Sequence, residues 1–444
     1  MKTTFHVPPL MWNQFKKAML AAKRKNEEVI GFFFCRRHKL SKRHSRYVPA
    51  TWIVPGPDCY EYQSAGGLVL KQQFHLYLLE NLLEPGLDIV HVHTHPGKNA
   101  PHFSTVDDCH ESEYARFLAT AIKHKPRLIS GIFDESLDQP NFRLWNRRGT
   151  DVKPVEFYRS WFEVPEATPT EGETELMFDR QTVFGDKFQR QLGEMTVTLI
   201  GCGGIGAVFA EQLGRLGVKK WVLVDSDRLE TTNLNRMPGA TWEMAEQKLP
   251  KVEYVKKLIK QIYPTGSQVR AVPENLESET AQTEIGTSDL IVVATDNHHS
   301  RQIAQELALT HSRPLLSLGT HIDIAPDGKP RMYCRVTVPP LGGNWCLMCG
   351  NIINLQQAAL EVAPRNIQQL ANQRGYLQGI NNPAVFWLNS ICASTGVGVV
   401  QGMLSGYLDI ERGLDWIYQF PESQWRKTDT DYLMSSGCYF CGTD

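Results

Sequence analysis

Residues 196–225 read TVTLIGCGGIGAVFAEQLGRLGVKKWVLVD, and few folds accept such a stretch. A short apolar run ends at Gly201, and glycines recur at Gly203 and Gly206. Helical spacing follows, and a second apolar run ends at Asp225. Apolar runs of this length with a helix between them pair as buried parallel strands joined by a crossover. A helix from about Lys251, then QVRAV, then DLIVVAT continue the alternation. That order predicts a doubly wound parallel sheet with its ligand at the carboxyl ends of the strands. Gly201 allows the tight turn, Gly203 admits a phosphate, and Gly206 lets helix and strand pack closely. The helix N-terminus supplies N–H donors and a partial positive charge, and Asp225 is placed to hold a ribose hydroxyl. Taken alone, the pattern fits a nicotinamide enzyme, a flavoprotein or an ATP-using enzyme.

The chain has 444 residues, too many for one ordinary domain. Residues 1–160 predict a compact α/β unit. A helix is expected over 11–25, a strand at EEVIGFFFC, a helix over 66–84, a strand at LDIVHVHTHP, a helix over 107–124 and a strand at RLISGIF. Residues 161–176, acidic and rich in Pro and Thr, predict a linker. Residues 177–444 then form the second domain. A net charge of −1 gives no global pull toward nucleic acid or membrane. The basic runs Lys23–Lys25 and Arg36–Arg46 read as solvated faces. No apolar run reaches the ~18 residues needed to span a bilayer. The first residues lack the apolar core of a signal peptide, so a soluble cytoplasmic protein is expected.

In HVHTHPGKNAPHFSTVDD, His91, His93 and His95 alternate and so share one face of a strand that ends at a Pro-Gly turn. Imidazoles with one carboxylate make an open zinc site, and Asp107 or Asp108 can supply the carboxylate. Zinc brings its bound water toward a pKa of ~7, and a nearby carboxylate then serves as base. Chemistry alone leaves open which two histidines and which aspartate bind. The stretch resembles the H-x-H-P…S-x-x-D motif of JAMM (JAB/MPN+) metalloproteases, many of which act on ubiquitin-like proteins. The resemblance covers roughly residues 1–150. It implies His93, His95 and Asp107 as zinc ligands and Ser104 as a donor to the oxyanion. It implies Glu28 as the base, in the E-x-x-G setting Glu28–Gly31; Glu27 would point to the other face. The gap from His95 to Asp107 is one residue longer than in the typical member, which keeps Asp108 in play. His91 is expected to support the site without binding the metal.

Three features extend the glycine-rich turn. DSDRLETTNLNR follows the second strand, KLPKVEYVKKL puts Lys251 at a helix start, and IVVATDNHHSR puts Asp296 at a strand tip. Basic residues and a carboxylate around such a turn suit a triphosphate with Mg²⁺. The set resembles the ThiF/MoeB-type adenylating domain shared with ubiquitin-activating enzymes, over about residues 177–444. FDRQTVFGDKFQRQL resembles that family's entry segment. The resemblance implies that Arg180 reaches ATP across a homodimer interface and that Asp225, in a D-x-D with Asp227, binds ribose. It also implies that Asn233, Arg236 and Lys251 bind phosphates and that Asp296 binds Mg²⁺. The expected reaction is adenylation of the C-terminal carboxylate of a ubiquitin-like protein whose tail ends in glycine.

Cys346-x-x-Cys349 and Cys438-x-x-Cys441 suit a closed four-thiolate structural zinc. The segment Asn351–Phe386, where smaller relatives often carry a thioester cysteine, has none. Cys392, in an apolar helix, reads as a packed residue; Cys334 falls in an expected strand and Cys202 in the glycine turn. The expectation is either no thioester step or an unusual cysteine.

The fold expected is therefore a JAB/MPN-type α/β domain followed by a Rossmann-like ThiF-type domain with a four-cysteine zinc site. Such a chain would activate a ubiquitin-like protein and also process or deconjugate it, with a conjugating-enzyme-like protein as a further partner. Fusions of this kind resemble bacterial ubiquitin-like conjugation cassettes, some tied to antiviral defence. Sulfur-carrier activation with thiocarboxylate hydrolysis, and a non-catalytic scaffold for ubiquitin-like tails, are the alternatives.

Overall fold

The computed structural model describes residues 2–23, 27–41, 44–95, 101–159, 176–341, 345–373, 383–408, 410, 412–433 and 438–441. Residues 161–175 of the expected linker and the Pro96–Gly97 turn lie outside the described residues. The chain divides into two compact units, Met1–Glu163 and Val164–Asp444.

The first unit runs β1 (Lys2–His6), α1 (Pro9–Ala22), β2 (Ile30–Ser41), β3 (His44–Ile53), β4 (Tyr60–Ser64), β5 (Gly67–Leu70), α2 (Gln72–Tyr77), β6 (Leu87–Thr94), α3 (Thr105–Ala121), β7 (Leu128–Phe133), β8 (Pro140–Trp145), β9 (Val152–Pro154) and β10 (Glu156–Tyr158). An eight-stranded sheet has the order β10-β1-β3-β2-β6-β7-β8-β9. Each face carries its own core, as the alternation along β2 requires. Phe33 packs with Phe5, Phe15 and Phe133, whereas Phe32 and Phe34 pack with Ile89 and Leu118.

One expectation fails here. Residues 66–84 do not form one helix, because Gly67–Leu70 pairs antiparallel with Tyr60–Ser64 and helix begins only at Gln72. Backbone pairing with the strand just upstream outweighs the helical spacing of this segment.

The second unit runs α4 (Asp186–Glu194), β11 (Thr196–Ile200), α5 (Gly204–Leu216), β12 (Lys220–Val224), α6 (Trp242–Glu246), α7 (Lys251–Ile262), β13 (Gln268–Val272), α8 (Glu279–Ile285), β14 (Leu290–Val293), α9 (His298–His311), β15 (Leu315–Ile324), β16 (Pro330–Val338), α10 (Leu355–Glu361), α11 (Arg365–Gln373), α12 (Phe386–Ser405), β17 (Leu414–Phe420) and β18 (Gln424–Lys427). Its sheet has the order β13-β12-β11-β14-β15-β16-β17-β18. β13 through β15 are parallel, and the order reverses beside β11, giving the α/β Rossmann-like core. The sheet is not parallel throughout, since β16, β17 and β18 extend it antiparallel. Among the described residues, no helix is long and apolar enough to cross a membrane.

Candidate functional sites

In the first unit, β6 and α3 bring the polar groups together. His93 is buried near the end of β6, and His95 follows it, its N–H bonded to the Phe133 carbonyl at 2.9 Å. Their Nε2 atoms lie 3.1 Å apart. Asp107 faces both, Oδ1 at 3.3 Å from His93 and Oδ2 at 3.4 Å from His95. Four ligands at zinc–nitrogen distance sit ~3.3 Å from each other, so the spacing fits a shared cation.

Ser104 caps α3. It accepts from the Asp107 N–H at 3.1 Å, while its hydroxyl and N–H donate to Asp107 Oδ2 at 2.8 and 2.7 Å. The S-x-x-D spacing is thus a capping box that aims the carboxylate. Asp108 turns away and pairs with Arg143 at 2.5 Å.

Burial opposes ionisation of Asp107, but its bonds to His93 and His95 hold it far below the usual carboxylate range. Burial lowers the pKa of His93; the Asp107 hydrogen bond raises that of His95.

Glu28 is buried, with its carboxylate within 4.8 Å of the His93 and His95 ligand atoms. Burial first, and Asp107 second, raise its pKa to about 7 against the opposing charge of His95. Its backbone is pinned on one side by the β4–β5 hairpin: Glu28 N–H to Ser64 O at 2.9 Å, and Gln63 Nε2 to Glu28 O at 2.8 Å. On the other side Val29 exchanges bonds with Thr94. A Cβ at Gly31 would lie 2.6 Å from Phe15, so α1 packs there only against glycine.

Sequence reasoning missed Glu111 and Arg143. Glu111 lies one helical turn after Asp107, a spacing that puts both on one face of α3. It is buried, and its Oε2 accepts from Arg143 Nε and Nη2 at 2.8 and 2.6 Å and from Trp145 Nε1 at 2.9 Å. Burial works against its charge, but His91 and Arg143 bring its pKa to about 2. His91 stands 2.8 Å from Ser130 Oγ and 3.5 Å from Glu111, behind the cluster of ligand atoms.

In the second unit, the glycine turn joins β11 to α5. Gly201 has φ +92°, and a Cβ there would lie 2.9 Å from the Ala294 backbone; one at Gly206 would lie 2.0 Å from the Gly201 carbonyl oxygen. Gly203 caps α5 with open space where its side chain would be. Gly206→Ala is therefore expected to cost roughly 1–3 kcal/mol. Gly203→Ala should cost no more than about 1 kcal/mol and act instead on nucleotide affinity. Chemical denaturation alongside ATP titration separates the two.

Asp225 ends just past β12. Its Oδ2 accepts from Cys202 N–H at 2.7 Å and Oδ1 from Asp227 N–H at 2.8 Å. Burial raises its pKa against the charge of Lys251. Lys251 opens α7, its Nζ 2.7 Å from Asp227 Oδ2. Burial works against that ammonium, but Asp225, Asp227 and Asp296 outweigh it and raise its pKa. Asn233 is buried and accepts from Glu230 N–H at 3.1 Å. Arg236 donates to Thr232 O at 2.6 Å and lies against Gly204. The structure therefore gathers Asp225, Asp227, Lys251 and Asp296 beside the turn, with Arg236 at the start of α5. Arg180 stands exposed on the 3₁₀ segment Leu176–Phe184, where Leu176 and Val183 are 86% and 82% exposed.

Cys346 lies 3.8 Å from Cys349 and 3.7 Å from Cys438, and Cys349 lies 3.5 Å from Cys441, sulfur to sulfur. Thiolates around tetrahedral zinc sit ~3.8 Å apart, so this donor set fits that ion. Cys202, Cys334 and Cys392 are fully buried.

The ThiF family model matches residues 178–407. The sulfur carrier protein ThiS adenylyltransferase of Bacillus subtilis (strain 168) is 28% identical over 195 residues, 42% of this chain and 57% of that one. The sulfur carrier protein adenylyltransferase of Thermus thermophilus is 31% identical over 132 residues, 30% of this chain and 48% of that one. Ubiquitin-like modifier-activating enzyme 5 of Caenorhabditis elegans is 27% identical over 169 residues, 34% of this chain and 39% of that one. The chain spans about half the length of the curated relatives it matches. A solved structure of E. coli MccB with ATP has a TM-score of 0.47 at 18% identity, over 61% of this chain and 75% of that one.

Proposed function

We propose, since this chain belongs to the ThiF family, that its second unit adenylates the C-terminal carboxylate of a ubiquitin-like protein whose tail ends in glycine. The observation that carries this is Lys251 among three aspartates beside the glycine turn. A carboxylate oxygen of the tail attacks the α-phosphorus of ATP, and pyrophosphate leaves. The backbone N–H groups of the turn, Lys251, Arg236 and Asn233 hold the phosphates, and Asp225 takes the ribose. Asp296, helped by Asp227, offers the oxygen ligands Mg²⁺ prefers, and a bound ion would neutralise phosphate charge. The chain's own part is positioning and charge neutralisation. The exposed apolar segment beside Arg180 suits a homodimer in which that arginine reaches the partner's nucleotide.

The first unit is proposed to be a JAMM-type hydrolase of the same tail. His93, His95 and Asp107 would hold zinc, which supplies an acidified water and a Lewis acid. Glu28 takes the proton of the attacking water and passes it to the leaving group. Ser104 is assigned to the oxyanion, a role for which its hydroxyl must turn from Asp107. The four cysteines would hold a structural zinc. Cys438→Ser is then expected to remove one zinc per chain and lower the melting temperature by at least about 5 °C, read by metal analysis and calorimetry.

The test of the main reading is ATP–pyrophosphate exchange dependent on a glycine-ended ubiquitin-like protein; no exchange with any such protein would sink it. The named sulfur-carrier relatives support a second outcome, a thiocarboxylated tail. Mass spectrometry separates it, as a gain of sulfur, from an isopeptide or ester adduct.

A further inference from the structure

We infer that Arg301 is a positioning residue that fixes the Asp296 turn for the metal-bound nucleotide, an inference that rests on the adenylating reading above. Arg301 lies in the first turn of α9 and reaches back across the start of its own helix. Its Nε and Nη2 donate to the Thr295 carbonyl at 3.1 and 2.8 Å, and Nη2 lies 3.5 Å from the Leu318 carbonyl of β15. The Thr295 carbonyl belongs to the peptide that leads directly into Asp296.

The exit from the same turn is held separately. Asn297 caps α9, accepting from Ser300 N–H at 2.8 Å. The Glu361 carboxylate, at the end of α10, accepts from His298 N–H at 3.1 Å and His299 N–H at 2.8 Å. Asp296 thus sits on a turn gripped by a guanidinium before it and a carboxylate after it, and neither grip uses the Asp296 side chain. Room for the guanidinium comes from β15, because a Cβ on Gly319 would lie 2.8 Å from Arg301 Nη2. Burial lowers the guanidinium's pKa; nearby Cys392, Asp296 and Glu361 oppose this, and Arg335 adds to it. A half-buried cation used on neutral carbonyls is costly for a fold, and a planar fork does here what an ammonium cannot.

Arg301→Lys keeps the charge and loses the fork. A misplacement of a liganding carboxylate by ~1 Å is worth about 100-fold in rate. The test measures ATP binding by the full chain, by calorimetry, with and without Mg²⁺. In Arg301→Lys, binding of ATP alone should hardly change, whereas the strengthening by Mg²⁺ should shrink by at least about tenfold. Pyrophosphate exchange should fall with it. Equal weakening under both conditions means packing only and overturns the inference, as does unchanged Mg²⁺ strengthening. If Arg301→Lys does not fold, Gly319→Ala, which crowds the guanidinium, and Glu361→Gln, which weakens the exit grip, must show the same split; its absence in both overturns it too. A parent chain that binds Mg²⁺-ATP without exchanging pyrophosphate defeats the adenylating reading, while the split still decides Arg301. A parent that binds no ATP defeats both.

Discussion

Lys251→Ala is expected to cut ATP–pyrophosphate exchange by about 10³-fold while the chain stays folded. The backbone at this position does not depend on the side chain, because the Lys251 N–H donates to the Asp227 carbonyl at 2.9 Å and α7 starts there regardless. Its partner, the Asp227 carboxylate, is 66% exposed, so losing the ion pair takes little stability. The electrostatic loss is large. Lys251 is the cation the structure sets against Asp225, Asp227 and Asp296, and without it the site repels a triphosphate. Lys251→Arg should retain part of the rate. Exchange within about tenfold of the parent in a folded Lys251→Ala chain would remove Lys251 from the chemistry.

Glu28→Gln is expected to slow cleavage of a tail-extended ubiquitin-like protein by about 10²–10⁴-fold, with zinc content and pyrophosphate exchange unchanged. Glutamine fills the same space, and the backbone bonds from Ser64 and Gln63 remain. The pH profile carries its own sign. A base must be deprotonated, and burial raises the Glu28 pKa to about 7. A zinc ion beside it would pull that value down. The rate should therefore rise with pH to a plateau reached no later than the neutral range, and this limb should vanish in Glu28→Gln. A rate that falls over that limb would assign Glu28 the wrong role.

The glycine turn and the strands on either side of it were legible because their signals are local: apolar runs, a positive-φ glycine and a helix start. The Asp107–Asp108 ambiguity was legible too, but only through a helix cap. Which aspartate faces His93 and His95 depends on where α3 begins. With Ser104 at the cap, Asp107 folds back over it, and Asp108, about 100° further round, meets Arg143. Counting residues from His95 could not reveal this. Glu111, Arg143 and Trp145 were illegible for another reason: they meet only when α3 packs over β8, a tertiary event with no local trace. The hairpin that pins Glu28 was lost to the helical spacing of residues 66–84, although it holds the backbone of the proposed base.

The capping box at Ser104 also bears on how such a site drifts under selection. One hydroxyl both starts a helix and steers the proposed ligand Asp107, so replacing it by alanine removes about 1 kcal/mol of helix together with the aim of that carboxylate. A lineage that loses cleavage could not simply relax this serine, because the helix would still need it. The motif can therefore outlive the activity, and finding it intact in a descendant would report a folded helix more surely than a working hydrolase.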